Sequence, residues 1–239
     1  MSTQALMLVP GLMCDHAVWD PVIPRLAGQA DCRVVDHGRA SSLVTMAEQV
    51  LSAAPARFAL AGHSMGARVA LEVVRRAPQR VTRLALLDSG HRPRAAGEAG
   101  EEEVRKRHAL LAIARAQGVR AMAAEWVKGM VAPARLGDAA LIGAVLDMFD
   151  RKDADHFAAQ IEALIARADL SPVLQSLSVP TLILCGREDG WAPVTQHEAM
   201  RSLAPRAHLV VVEGAGHMAP METPQAVAAA LADWLALEV

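Results

Sequence analysis

The sequence predicts an α/β fold: a doubly wound, mostly parallel sheet of about six strands, with a helical lid inserted before the last two. Three observations carry this. Short apolar runs recur along the chain, most of them apolar at successive positions, as in strands buried on both faces of a parallel sheet. Segments with helical apolar stripes separate them, so strand and helix alternate. One connection of roughly 90 residues is far longer than the dozen or so that a crossover requires, so something extra is inserted there.

The six runs are Ala5 to Val9, Cys32 to Val35, Phe58 to Ala61, Leu84 to Leu87, Thr181 to Cys185 and Leu209 to Val212, each bounded by Gly, Pro, Asp or other turn-forming residues. A helix follows the third run, with Ala70, Val73, Val74 and Ala77 on one stripe and Pro78 ending it. The last helix has Thr223 as N-cap and Pro224 at its first position, and places Val227, Leu231, Trp234 and Leu235 on one face. The long connection carries helical spacing through Leu110, Ile113 and Ala114, and again through Phe157, Ile161, Leu164 and Ile165. The expected division is therefore a core of residues 1–91 and 171–239 and a helical lid of residues 92–170. The cluster Glu101, Glu102, Glu103, Arg105, Lys106 and Arg107 reads as a solvated helix face.

A chain of 239 residues, 53% hydrophobic and 21% charged, suits one large globular α/β domain. Lys and Arg total 24 against 26 for Asp and Glu, which leaves no excess cation to bind nucleic acid or an acidic bilayer. No apolar run reaches the length of a membrane span. The opening stretch MSTQALMLVPG has no basic leader, so a cytoplasmic protein is expected. Cys14, Cys32 and Cys185 are odd in number and lack metal-type spacing, and read as reduced, packed thiols with neither a disulfide nor a zinc site.

The sharpest local signal is Gly62-His63-Ser64-Met65-Gly66, directly after the third run and before a helix. A strand-to-helix turn this tight strains the serine backbone and needs small neighbours where the chain passes itself. A serine hydroxyl is a weak nucleophile, so a base must take its proton. Of nine histidines the best placed is His217, in the Gly-flanked loop after the last run. His108, His156 and His197 lie in helical, charged stretches, and His63 is expected to point away from the reaction. An imidazole base needs a carboxylate on its other nitrogen. Asp189, in the loop after Cys185, fits best, with Asp88 and Glu188 as rivals. The backbone N–H groups of Met65 and Leu12 are the candidate donors to an oxyanion. Candidate substrate-pocket residues are Met13, Met65, Trp126, Met130, Phe149, Trp191 and Met218.

The order Ser64, Asp189, His217, with Pro10-Gly11-Leu12 and Gly186-Arg187-Glu188-Asp189, resembles the α/β-hydrolase superfamily over nearly the whole chain. It is most similar to short bacterial carboxylesterases and to the pimeloyl-carrier methyl esterases of biotin synthesis. The resemblance implies hydrolysis of an ester of a small to medium, largely apolar small-molecule substrate, without a cofactor. It also implies that the family's first antiparallel hairpin is absent, since the chain begins at what would be the third family strand. The same triad serves thioesters, lactones, carbon-carbon bond cleavage and acyl transfer, and a ligand-binding homologue without turnover shares the scaffold. Pro10 stands where many members have histidine, Ala67 where a second glycine is frequent, and Asp36 to Ser41 only loosely matches the usual glycine-rich loop.

Overall fold

The computed structural model describes residues 4–238; Met1 to Thr3, which open the stretch read for a leader, and Val239 lie outside the described residues. Six strands, β1 (Gln4–Val9), β2 (Ala30–Val34), β3 (Phe58–His63), β4 (Val81–Leu87), β5 (Thr181–Gly186) and β6 (His208–Val212), form one sheet in the order β2-β1-β3-β4-β5-β6. Every neighbouring pair is parallel, as the apolar runs predict. All residues of β3 and β5 are buried. Because successive side chains point to opposite faces, this requires cover on both sides of the sheet.

The edges follow a different pattern. β2 starts two residues before the expected run and alternates, with Asp31 and Arg33 exposed and paired at 2.7 Å. An edge strand has only one neighbour, and its outward charges discourage pairing with another chain.

Helices α1 (Leu43–Ala53) and α2 (Met65–Arg76) flank β3 in sequence, and α2 buries the predicted Ala70, Val73 and Val74, with Ala77 following as its cap. Between β4 and β5 the insertion comprises α3 (Glu98–Gln117), α4 (Val119–Trp126), α5 (Ala139–Asp150), α6 (Ala154–Ile165) and α7 (Ser171–Gln175). Phe157 and Ile161 of α6 are fully buried. The chain closes with α8 (Val194–Leu203), α9 (Ala219–Glu222) and α10 (Pro224–Ala236). Thr223 occupies the N-cap position of α10 as predicted, but its hydroxyl donates back to the Ala219 carbonyl at 3.2 Å and does not cap the new helix. The short α9 immediately upstream offers that carbonyl first.

The chain winds outward from β1 to β2 and then returns to place β3 on the other side of β1. At such a reversal the loops leaving the two strands part and open a crevice at their carboxyl ends. Val9 pairs with Gly62, so the loop after β1 and the turn after β3 leave the sheet side by side.

Candidate active site

β3 passes into α2 through Ser64, whose backbone lies at φ 55°, ψ −119°. A non-glycine residue at positive φ is strained and persists only where its surroundings hold it. Here the end of β4 does so. The Ser64 N–H donates to the Leu87 carbonyl at 2.8 Å, and the Ser64 carbonyl accepts from Ser89 Oγ at 2.7 Å. The glycines are required by close approach. A Cβ on Gly62 would stand 2.3 Å from the Gly66 carbonyl oxygen, and one on Gly66 2.1 Å from that of Val9.

The Ser64 hydroxyl donates to His217 Nε2 at 2.7 Å, and His217 Nδ1–H donates to Asp189 Oδ2 at 2.8 Å. The other carboxylate oxygen of Asp189 accepts from the backbone N–H groups of Trp191 and Ala192, each at 2.9 Å. Burial pushes the Asp189 carboxyl up. The electrostatic attraction of His217, its hydrogen bond and the two backbone donors outweigh that, holding the group below its usual value. Of the two rivals, Glu188 is exposed, and Asp88 turns one oxygen to the Gly186 N–H at 2.9 Å. Burial, followed by the negative charge of Asp189, holds the Asp88 carboxyl well above the ordinary range. Two buried carboxyls that feel each other's charge are thus held toward opposite states.

His217 is also pinned through its backbone. Its N–H donates to the Met130 carbonyl at 2.6 Å, and its carbonyl accepts from His63 Nε2 at 2.7 Å. His63, read from sequence as pointing elsewhere, therefore braces the loop that carries His217. Burial, reinforced by the nearby His217, pushes its imidazole down to about 3, so it stays neutral and donates through Nε2–H. Glu222 adds three anchors: Oε1 accepts from the N–H groups of Gly216 (2.9 Å) and Met218 (3.1 Å), and Oε2 from that of Ala132 (2.7 Å). Sequence reasoning missed Glu222, although an acid at the end of the apolar stretch Met218 to Met221 was the available signal. His197 lies on α8, the helical stretch expected of it, but not on its surface. It is fully buried, and its Nε2 accepts from the Ser89 N–H at 3.0 Å.

The loop after β1 lies against Ser64: a Cβ on Gly11 would stand 3.1 Å from Ser64 Cβ. Leu12 N–H has no acceptor among the described residues, and Met65, first in α2, has none within its helix. Gln160 of α6 holds this loop, accepting from the Met13 N–H at 2.8 Å and donating to the Gly38 carbonyl at 3.0 Å. It too was missed. A lone amide on the stripe of Phe157, Ile161 and Leu164 was its signal.

A cavity of about 750 Å³ opens over Ser64 and His217, within the size range of ordinary ligand pockets. Of the expected pocket residues, Met65, Trp126, Met130, Trp191 and Met218 line it. Met13 and Phe149 do not. Met13 is fully buried at φ 61°, turned into the core by the loop after β1. Phe149 lies behind Trp126, with ring centroids 5.6 Å apart. Trp126 in turn stacks on Trp191 at 5.3 Å and 25°, and Trp191 reaches His217 at 5.0 Å. Cys14 reaches the lining, but burial, followed by the charge of Asp15, pushes its thiol up to about 12, so it packs as an inert neutral group.

The charged cluster of α3 departs from its expected role. Glu102, Glu103, Lys106 and Arg107 line the cavity with Arg68 and Arg167 where a solvated face was predicted; Lys106 and Glu102 stay largely exposed, while Glu103 and Arg107 are partly buried. Its residues are spaced so that one flank of the helix turns inward while Arg105 and Glu98 pair outside.

A family model described as the alpha/beta hydrolase family matches residues 6–230. The pimeloyl-[acyl-carrier protein] methyl ester esterase of Aliivibrio salmonicida (strain LFI1238) is 28% identical over 233 residues, covering 89% of this chain and 84% of that protein. The biotin biosynthesis bifunctional protein BioHC of Cellvibrio japonicus (strain Ueda107) is 27% identical over 250 residues, covering 98% of this chain and 48% of that protein, so the chain spans about half of its length. Among solved structures, a thermophilic esterase from Thermogutta terrifontis superposes with a TM-score of 0.85 at 25% identity, covering 98% of this chain and 90% of that one. An enol-lactonase from Burkholderia xenovorans LB400 shares the fold, with a TM-score of 0.86 at 22% identity over 99% and 93% of the two chains. The strained serine turn, the hydrogen-bonded Ser64, His217 and Asp189, and the match over residues 6–230 lead to one conclusion: the chain belongs to the alpha/beta hydrolase family.

Proposed function

We propose that the protein is a serine carboxylic ester hydrolase, acting on small to medium substrates with a largely apolar acyl chain through an acyl-enzyme. The observation that carries this reading is the unbroken chain from Ser64 Oγ to His217 to Asp189, at 2.7 and 2.8 Å, opening into a cavity walled by Trp126, Met130, Phe157 and Met218. His217 Nε2 takes the Ser64 proton as the oxygen attacks the ester carbonyl. The N–H groups of Leu12 and Met65 receive the developing oxyanion, and Asp189 stabilises the imidazolium. His217 then hands the proton to the leaving alcohol, and water, activated by the same imidazole, releases the acid and restores Ser64. Helices of residues 92–170 act as the lid that excludes water from this chemistry. The similarity to esterases of the same family supports the reading.

The test is release of p-nitrophenol from a chain-length series of p-nitrophenyl esters. Ser64→Ala is expected to lower kcat on the order of 10⁶-fold, and a serine-reactive phosphonate should abolish turnover of the native enzyme. Turnover that survives Ser64→Ala rules the mechanism out.

A further inference from the structure

The cavity is apolar around Ser64 and becomes cationic toward α3. Its lining includes Arg68, Lys106, Arg107 and Arg167 against Glu102, Glu103 and Asp88, the last held toward its neutral form, which leaves a net positive wall. Most of these charges are already engaged. Glu103 bridges Arg107 at 2.8 Å and Arg167 at 2.7 Å, and Glu102 faces Lys106 at 3.5 Å. Arg68 has no carboxylate within ion-pair distance among the described residues. Its one hydrogen bond runs from Nη1 to the Arg92 carbonyl at 2.9 Å. That bond orients the guanidinium, and Nη2 lies beside Gly90, itself part of the lining: a Cβ there would be 3.2 Å away. Burial, then the repulsion of Arg167 and Arg107, pushes the guanidinium down to about 9 against the opposing pull of Glu103, leaving it charged at neutral pH. An unpaired guanidinium facing a cavity is costly in a free protein, and its planar fork matches a carboxylate. Arg68 also stands four residues beyond Ser64, about one helical turn along α2. An anion on its fork is therefore separated from the scissile carbonyl by only a short chain.

We propose that Arg68 is a specificity-determining residue that binds a free carboxylate on the substrate, so that the preferred esters are half-esters of dicarboxylic acids, with the methylene chain lying on the apolar wall. This rests on the ester-hydrolase reading and deepens it. The occupant is taken as a carboxylate and not a phosphate, because a single fork with Glu102 and Glu103 nearby compensates one negative charge better than two.

Acid release from monomethyl glutarate and monomethyl adipate is to be compared with that from methyl pentanoate and methyl hexanoate, for the native protein, Arg68→Gln and Arg68→Lys. The native enzyme is expected to favour the half-esters in kcat/KM by about 10-fold or more. Arg68→Gln should remove about 10- to 100-fold of that preference, mainly through KM, and Arg68→Lys should restore only part because it lacks the fork. Equal use of charged and neutral esters by the native enzyme, or an equal loss on both in Arg68→Gln, overturns the proposal. Calorimetric titration of glutarate into Ser64→Ala, with and without Arg68→Gln, judges the site without turnover. If no ester is cleaved, the hydrolase reading fails, while glutarate binding that Arg68→Gln abolishes still supports the carboxylate site; no glutarate binding to Ser64→Ala sinks it. Tighter binding of inorganic phosphate than of glutarate also overturns the carboxylate assignment.

Discussion

Asp189 and Asp88 are both buried and act on each other electrostatically, yet their surroundings divide their roles. Asp189 accepts two backbone N–H bonds and the imidazole Nδ1–H, all of which favour the ionised form. Asp88 has a single backbone donor and one oxygen without a partner, in full burial, and is held toward its neutral form. Asp189→Asn is expected to keep the fold and to lower kcat by about 10⁴-fold, because the amide no longer selects the tautomer in which Nε2 is free to accept the serine proton. Steady-state kinetics with circular dichroism on the same sample check both halves. Asp88→Asn, which keeps a neutral side chain of the same shape, should cost far less activity in the same assay. Local chemistry made Ser64 and His217 readable, since a Gly-flanked turn after an apolar run constrains few alternatives. Glu222 and Gln160 were not readable in the same way. Each acts on backbone groups of segments distant in sequence, such as Gln160 on the Met13 N–H, and no spacing rule announces such a partner.

At the scale of elements, α3 joins the insertion to the cavity through one carboxylate. Burial pushes Glu103 up, but hydrogen bonds and charge from Arg167 and Arg107 hold it at about 2. A carboxyl depressed in the folded state contributes its full stabilisation above the unfolded pKa near 4.3 and loses it as pH falls toward 2. Glu103→Gln is therefore expected to destabilise the protein by about 1–2 kcal/mol at pH 7 after allowance for solvent screening. That difference should shrink as pH drops from about 4.5 to 2. Urea denaturation of both proteins across this range reads it directly, and a constant difference down to pH 2 would contradict the assignment. The strands were legible because burial on two faces leaves continuous apolar runs. β2 was legible only in part, since an edge strand buries one face and retains polar residues on the other.

At the scale of the whole molecule, the insertion meets the core through two kinds of contact. Around its rim, Arg39 pairs with Asp153, Arg151 with Asp15 at 2.7 Å and Lys152 with Asp36 at 3.1 Å, each with at least one exposed partner. Beneath it, Trp126 of α4 stacks on Trp191 of the core at 5.3 Å, backed by the fully buried Phe157 of α6 at 5.4 Å. Exposed ion pairs are screened and contribute little, whereas an emptied aromatic site loses transfer energy and leaves a cavity. Phe157→Ala is expected to cost about 3–5 kcal/mol in chemical denaturation, and roughly 1 M NaCl, which shortens the screening length to about 3 Å, should cost clearly less. The reverse ranking would mean that electrostatics seat the insertion. Among the described residues no helix is long and apolar enough to cross a membrane.

Sequence alone determined the parallel α/β architecture, the inserted helices, the strained serine turn and the order of serine, acid and histidine, because each depends on local periodicity or on backbone constraints within a few residues. Tertiary structure decided which carboxyl meets His217, which aromatic residues face the cavity and which stand behind them, and that one flank of a charged helix shares the cavity wall with Arg68. Those outcomes depend on contacts between segments as far apart as Met13 and Gln160, where packing and electrostatic balance select among side chains that look equally eligible in one dimension.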